Sequence, residues 1–226
     1  MIKFNKVTKV YPPDFPALQD ISFEVKEGDF VSIVGKSGAG KTTLIKLIMG
    51  LEQPTLGEVY VKDLKIKDLN SKKLQDVRRQ IGAIYQDYRL LESKTVFENV
   101  AYVMHIDQIE NEDIDKEVLQ VLELIGLKSK VSNFPAELSG GEQQRLAIAR
   151  AIASHPEIII ADEPTGNLDP YNSYEVMSIL KKINESGKTV ILASHDRDLV
   201  NKIGKRVITL EDGRVLRDEA QGKFVI

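Results

Sequence analysis

Gly35-Lys36-Ser37-Gly38-Ala39-Gly40-Lys41-Thr42 has the form G-x-x-x-x-G-K-[ST], and the runs on either side of it decide the fold. Before it, Phe30-Val31-Ser32-Ile33-Val34 is apolar and rich in strand formers, which predicts a buried strand. After it, Thr43-Leu44-Ile45-Lys46-Leu47-Ile48-Met49 is apolar on one side and stops at Gly50, which predicts a helix ending at a glycine cap. A glycine-rich loop between strand and helix turns main-chain N–H groups inward and adds the helix N-terminus, so it suits a phosphate chain. Lys41 offers a point charge to the β- and γ-phosphates, and the Thr42 hydroxyl offers an oxygen to Mg²⁺. The candidate phosphate contacts are Gly35, Lys36, Ser37, Gly38, Ala39, Gly40, Lys41, Thr42 and Thr43.

Length and composition bound the rest. The 226 residues suffice for one large domain or two small ones, either with an adequate core. A formal net charge of −3 advertises no basic surface and argues against nucleic acid as the main partner. There is no cysteine, which excludes disulfides, thiolate metal sites and thiol catalysis. No apolar run approaches the ~20 residues that span a bilayer. The start, Met1 to Val7, lacks the apolar core of a signal peptide. The expectation is a cytosolic protein whose membrane role passes through a partner.

Alternation predicts strands over 2–7 and 20–26, separated by the proline cluster Pro12-Pro13-Asp14-Phe15-Pro16, and another over 57–61. The charged stretch 71–80 reads as helix and 81–85 as strand. From Val96 to Leu127 the apolar residues recur at helical spacing, broken at Asn111-Glu112-Asp113, which carry capping chemistry for a second helix. Further helices are expected over 141–154, 172–185 and 196–203, strands over 157–161 and 189–193, and a hairpin around Asp212-Gly213. The runs near 31, 159 and 191 are continuously apolar, the mark of a parallel sheet covered on both faces. Those near 3, 23 and 59 alternate, which predicts a smaller antiparallel sheet. The fold class expected is therefore α/β: a mostly parallel core sheet, an N-terminal antiparallel β subdomain and helices between 96 and 154 inserted as a lobe.

Two further stretches carry chemistry. Ile158-Ile159-Ile160-Ala161-Asp162-Glu163 ends a buried strand on two carboxylates; alone, such a pair is more often a solvated loop. Behind a phosphate loop, Asp162 becomes a candidate Mg²⁺ group and Glu163 a candidate polariser of attacking water. Leu138-Ser139-Gly140-Gly141-Glu142-Gln143 opens a helix with Ser139 as N-cap and two glycines that admit close approach.

These residues resemble the ABC-type ATPases, and the resemblance spans essentially all 226 residues with the motifs in the family order. Leu138 to Gln143 is similar to the ABC signature, Gln86 to the Q-loop glutamine, Asn167-Leu168-Asp169 to the D-loop and His195 to the switch histidine. Tyr11 stands where the family stacks an aromatic ring on adenine; His105 and His155 match no motif. The resemblance implies a single ABC ATPase domain over 1–226 of P-loop NTPase fold, with 1–86 and 156–226 as catalytic core and antiparallel subdomain and 87–155 as helical subdomain. It implies ATP and Mg²⁺ as ligands, with Thr42, Gln86 and Asp162 toward the metal and Glu163 and His195 toward the reaction. Tyr11, the loop Gly35–Thr43, Gln86, Ser139, Gly140, Gly141 and Glu142 would lie toward nucleotide. It also implies an ATP-sandwich homodimer.

A narrower likeness is to the FtsE group of cell-division ATPases. It rests on Tyr85-Gln86-Asp87-Tyr88-Arg89-Leu90-Leu91 with Thr95-Val96-Phe97-Glu98-Asn99-Val100. Thr165-Gly166-Asn167-Leu168-Asp169 is a form this group shares with the LolD and MacB groups. The expected partner is an FtsX-like transmembrane subunit at the cytoplasmic face of the membrane. The alternatives are a lipoprotein-releasing or export complex, a soluble single-cassette protein of cofactor assembly, and a regulatory module that binds nucleotide without cleaving it. Glu163 and His195 together argue against the last.

Overall fold

The computed structural model describes residues 1–106 and 111–223. Asn111-Glu112-Asp113, where the sequence indicated a break, form the first turn of a helix, and their side chains, on which the capping expectation rested, lie outside the described residues.

The chain divides into two compact units, Met1–Arg78 with Ile183–Ile226, and Arg79–Lys182. The first unit opens with an antiparallel sheet of β1 (Ile2–Tyr11), β2 (Phe15–Val25), β4 (Leu56–Val61) and β5 (Leu64–Lys65), in the order β2-β1-β4-β5. Between its strands come β3 (Phe30–Val34) and the helix α1 (Lys41–Ile48), and after it α2 (Ser71–Arg79). Phe4 pairs with Phe23 across β1 and β2, their rings stacked with centroids 4.7 Å apart. Such aromatic cross-strand pairs contribute roughly 0.2–1 kcal/mol beyond alanine.

Both early strands are longer than alternation indicated. β1 and β2 run toward each other up to the Tyr11↔Phe15 pair, with the proline turn between them. The register shifts after Phe4, after Val7 and after Lys9, and Lys6 takes φ = 50°. Each shift swaps the inward face, so the period-2 signal stops at the first bulge although the pairing continues.

The second unit contains β6 (Ile81–Tyr85), α3 (Val96–Ile106), α4 (Asn111–Leu124), α5 (Gly140–Ile152), β7 (Ile158–Asp162) and most of α6 (Pro170–Glu185). There β6 pairs parallel with β7, the three helices α3, α4 and α5 pack on one another, and α5 packs on β6. The chain then returns to the first unit as β8 (Thr189–Ser194), α7 (Arg197–Ile203), β9 (Arg206–Glu211) and β10 (Arg214–Glu219). Here β3 is flanked by β8 and β9, parallel to both, and β10 closes a hairpin on β9 through Asp212-Gly213. Every residue of β3 and β8 is buried, as unbroken apolar runs in a parallel sheet require. Among the described residues no helix is long and apolar enough to cross a membrane.

Candidate nucleotide site

In the first unit the chain leaves β3 at Gly35 and enters α1 at Lys41. Gly40 is the N-cap, with φ = 104° and no side-chain cap. A Cβ on Gly40 would meet Ala17 O at 2.7 Å and Leu18 Cδ2 at 2.6 Å, so both backbone angle and packing demand glycine. Lys41 is 7% exposed, and its ammonium donates to Gly35 O at 2.9 Å and Lys36 O at 3.3 Å. Those bonds curl the side chain over its own loop, where a phosphate oxygen would meet it. Lys36, Ser37 and Gly38 are exposed at the loop's crest. A cavity of about 460 Å³ opens beside them, bounded also by Phe15, Gln19 and the β9–β10 turn.

Tyr11 ends β1 half-buried, and the Lys9 ammonium lies 4.8 Å from its ring centroid, covering one face. His195 follows β8 directly and is exposed. The next residue is locked: Asp196 donates its N–H to Ser194 Oγ and caps α7 by accepting from Leu199 N at 3.0 Å. That cap fixes the backbone from which His195 projects.

The second unit carries the other motifs. Asp162 is half-buried at the carboxyl end of β7, and Glu163 is the first residue beyond, held at φ = 50°. A non-glycine residue in that region stores roughly 1–3 kcal/mol of backbone strain, a cost that clusters at functional positions. Tyr88 and Arg89, at 55° and 52°, repeat it two and three residues after Gln86. The Arg89 guanidinium lies 3.7 Å from the Tyr85 ring centroid, and Arg150 of α5 donates to Tyr88 O at 3.3 Å. Asn99, fully buried in α3, accepts from Leu91 N and donates to the carbonyls of Leu91, Lys94 and Thr95. The strained turn is thus held by Tyr85 and Arg150, and the segment after it by Asn99. Gln86 itself is exposed.

Ser139 caps α5 as the sequence indicates. Its Oγ accepts from Glu142 N, its own N–H donates to Glu142 Oε2 at 2.9 Å, and Lys130 bridges Glu142 at 2.6 Å. Lys130 and the Ser139 N–H together hold the Glu142 carboxyl at about 2. The Glu142 side chain is therefore engaged in its own cap. Gly141 lies against α6. A Cβ there would fall on the Asn172 side chain of α6, so its missing side chain makes room for a neighbouring helix. Asn172 in turn is tied to Asp169, whose Oδ1 accepts from Tyr171 N at 2.9 Å and Asn172 N at 3.0 Å. Those donors, the Asn172 side chain first, lower the Asp169 pKa. Arg145 of α5 reaches the same place, bonded to Asn172 Oδ1 at 3.4 Å and Glu175 at 2.6 Å. Signature and D-loop are one packed cluster. Asn172 and Arg145 escaped the sequence reading because neither belongs to a motif.

His105 is exposed at the end of α3, and His155 lies 3.5 Å from Glu117, 62% exposed. The proposed metal donors are a hydroxyl (Thr42), an amide oxygen (Gln86) and a carboxylate (Asp162), all hard oxygens, which fits Mg²⁺. Among the described residues no three His, Cys, Asp or Glu side chains cluster.

Comparison with known proteins places these motifs in context. A family model described as ABC transporter matches residues 18–166. The chain is 47% identical over 224 residues to the cell division ATP-binding protein FtsE of Bacillus subtilis, covering 99% of this chain and 98% of that one. It is similar in structure (TM-score 0.89, 40% identity, 99% and 100% coverage) to a dimeric ATP-binding cassette in a post-hydrolysis state bound to ADP and Pi. A third likeness, with TM-score 0.91, 29% identity and coverage of 97% and 88%, is to CbiO1 of Clostridium perfringens, part of an ABC transporter complex.

Proposed function

This chain is a member of the ABC transporter family of ATPases, and we propose that it works as an ATP-dependent homodimer driving an FtsX-like transmembrane subunit in bacterial cell division. The observation that carries this reading is the 47% identity, over nearly the whole of both chains, to an FtsE cell-division protein. We assign all of 1–226 to one cassette, with 87–155 as its helical part.

Each ATP lies on Gly35–Thr43 of one protomer, with Tyr11 against the base, and beneath Ser139, Gly140 and Gly141 of the other. Lys41 and the α1 N-terminus neutralise the phosphates from one side, and the N-terminus of α5 faces them from the other. Thr42, Gln86 and Asp162 hold Mg²⁺, which when bound spreads the charge of the β- and γ-phosphates. Glu163 polarises the attacking water, and His195 donates toward the γ-phosphate. Cleavage removes the anion that joins the two halves, the dimer opens, and the Q-loop region carries the motion to the membrane subunit. The enzyme sits at the cytoplasmic face of the membrane through that subunit.

A second reading, the ATPase of a LolD- or MacB-like complex, is favoured by Thr165-Gly166-Asn167-Leu168-Asp169 and needs the same enzymology. Pull-down from detergent-solubilised membranes separates the two. Recovery of an FtsX-like protein supports the division reading, and recovery of a lipoprotein-releasing or export permease replaces it.

A further inference from the structure

The Q-loop glutamine and the D-loop asparagine bond to each other across 81 residues of chain, in both directions. Asn167 Nδ2 donates to the main-chain carbonyl of Gln86 at 3.2 Å. Gln86 Nε2 donates to Asn167 Oδ1 at 3.1 Å. Both residues end in a primary amide, whose oxygen and nitrogen have the same shape and differ only in what they bond. Here the bonding settles the orientation. A carbonyl accepts only, so the Asn167 atom facing Gln86 O is its nitrogen. The other Asn167 atom is then an oxygen, and the Gln86 atom facing it must be the nitrogen. Gln86 Oε1 is left as the end not committed to Asn167. Gly166 permits the arrangement: a Cβ there would stand 2.8 Å from Gln86 Nε2 and 2.9 Å from its Cδ.

We propose that Asn167 is a positioning residue that selects which end of the Gln86 amide is offered to the nucleotide-bound divalent cation. The inference rests on the reading of Gln86 as a metal-side residue. A hard cation takes the amide oxygen and is repelled by the NH₂ end, so an amide free to rotate by half a turn presents the wrong end part of the time. Tethering the nitrogen to Asn167 removes that population. Groups that orient metal ligands in this way commonly change affinity by roughly 10–100-fold, and an exposed pair belongs below that range.

The test measures binding of a fluorescent ATP analogue (mant-ATP) to the full chain in MgCl₂ and in EDTA, taking the ratio of the two affinities. In the parent protein Mg²⁺ is expected to raise the affinity. Asn167→Ala is expected to lower that ratio about 3–10-fold while leaving the EDTA affinity within about 2-fold, which also reports that the protein is folded. Asn167→Ser, too short to reach both partners, gives the same result. In a Gln86→Glu background, where both ends of the side chain are oxygens, Asn167→Ala is expected to have no effect on the ratio. An unchanged ratio in Asn167→Ala overturns the proposal. An equal loss in the Gln86→Glu background overturns it too, because Asn167 then acts on something other than amide orientation. If Gln86→Ala leaves the ratio untouched, the metal-side reading of Gln86 has failed and the proposal goes with it.

Discussion

The phosphate loop and the signature–D-loop cluster are built on opposite plans. In the loop, the Lys41 ammonium bonds to carbonyls five and six residues back, and Gly40 caps the helix that it begins, with Ala17 and Leu18 packed close against it. In the cluster, partners come from far apart, with Gln86 on Asn167, Arg145 on Glu175 and Gly141 against Asn172. The loop's Lys41 bonds close within its own eight residues, while Ala17, Leu18 and Leu210 crowd its glycines from outside. The cluster exists only once α5, α6 and the ends of β6 and β7 have packed. Damage to the loop should therefore act on binding at one place, whereas damage to the cluster should spread between its members.

The largest effect expected tests chemistry on the cluster side. Glu163→Gln should still bind ATP but hydrolyse it ~10²–10⁴-fold more slowly, about 3–5 kcal/mol of barrier, and accumulate as an ATP-bound dimer. Steady-state turnover and size-exclusion chromatography with ATP read both; near-normal turnover removes Glu163 from the reaction.

Next comes the loop. Lys41→Ala takes away the buried ammonium assigned to the phosphates and should weaken ATP binding about 10–100-fold, on the order of 1.4–2.7 kcal/mol, by calorimetry. Unfolding of the nucleotide-free protein should shift far less. A large stability loss with unaltered affinity would erase the contrast between the two regions.

Gly141→Ala should behave in the reverse sense. Its Cβ would collide with Asn172, overpacking at a cost of roughly 1–3 kcal/mol in thermal or urea unfolding. Asn172→Ala in the same chain should recover much of that loss, since the two sites share one space. Additive losses would mean that Asn172 is not what Gly141 accommodates.

The smallest effect is pH-dependent and sharpens the picture of the α5 cap. Glu142 is depressed from its ordinary value of 4.5 to about 2, chiefly by Lys130 and the Ser139 N–H. Its contribution to stability is thus fully present above pH 4.5 and is lost as pH falls through about 2. Because solvent screens the pair, the change is modest. Melting curves of Glu142→Gln should show a shallower fall than the parent between these pH values, and parallel curves would dismiss the pairing.

How much of this was legible beforehand follows the same divide. The loop, β3, α1, β7, β8 and the Ser139 cap could be read directly, because each rests on spacing within a few residues. The full lengths of β1 and β2 could not, because bulges after Phe4 and Val7 break the alternation that advertises a strand. Asn167 could be recognised as part of a motif, but not that its amide faces Gln86. Asn172 and Arg145 gave no signal at all.

By itself the sequence determined the phosphate loop, the α/β alternation and the order of the motifs, since local propensity and main-chain geometry act over a turn or two of chain. Only the tertiary structure decided why Gly141 must lack a side chain, where the Glu142 carboxylate goes and which end of Gln86 is held. Those choices depend on which atoms of distant segments come within 3–4 Å, and no one-dimensional spacing encodes that.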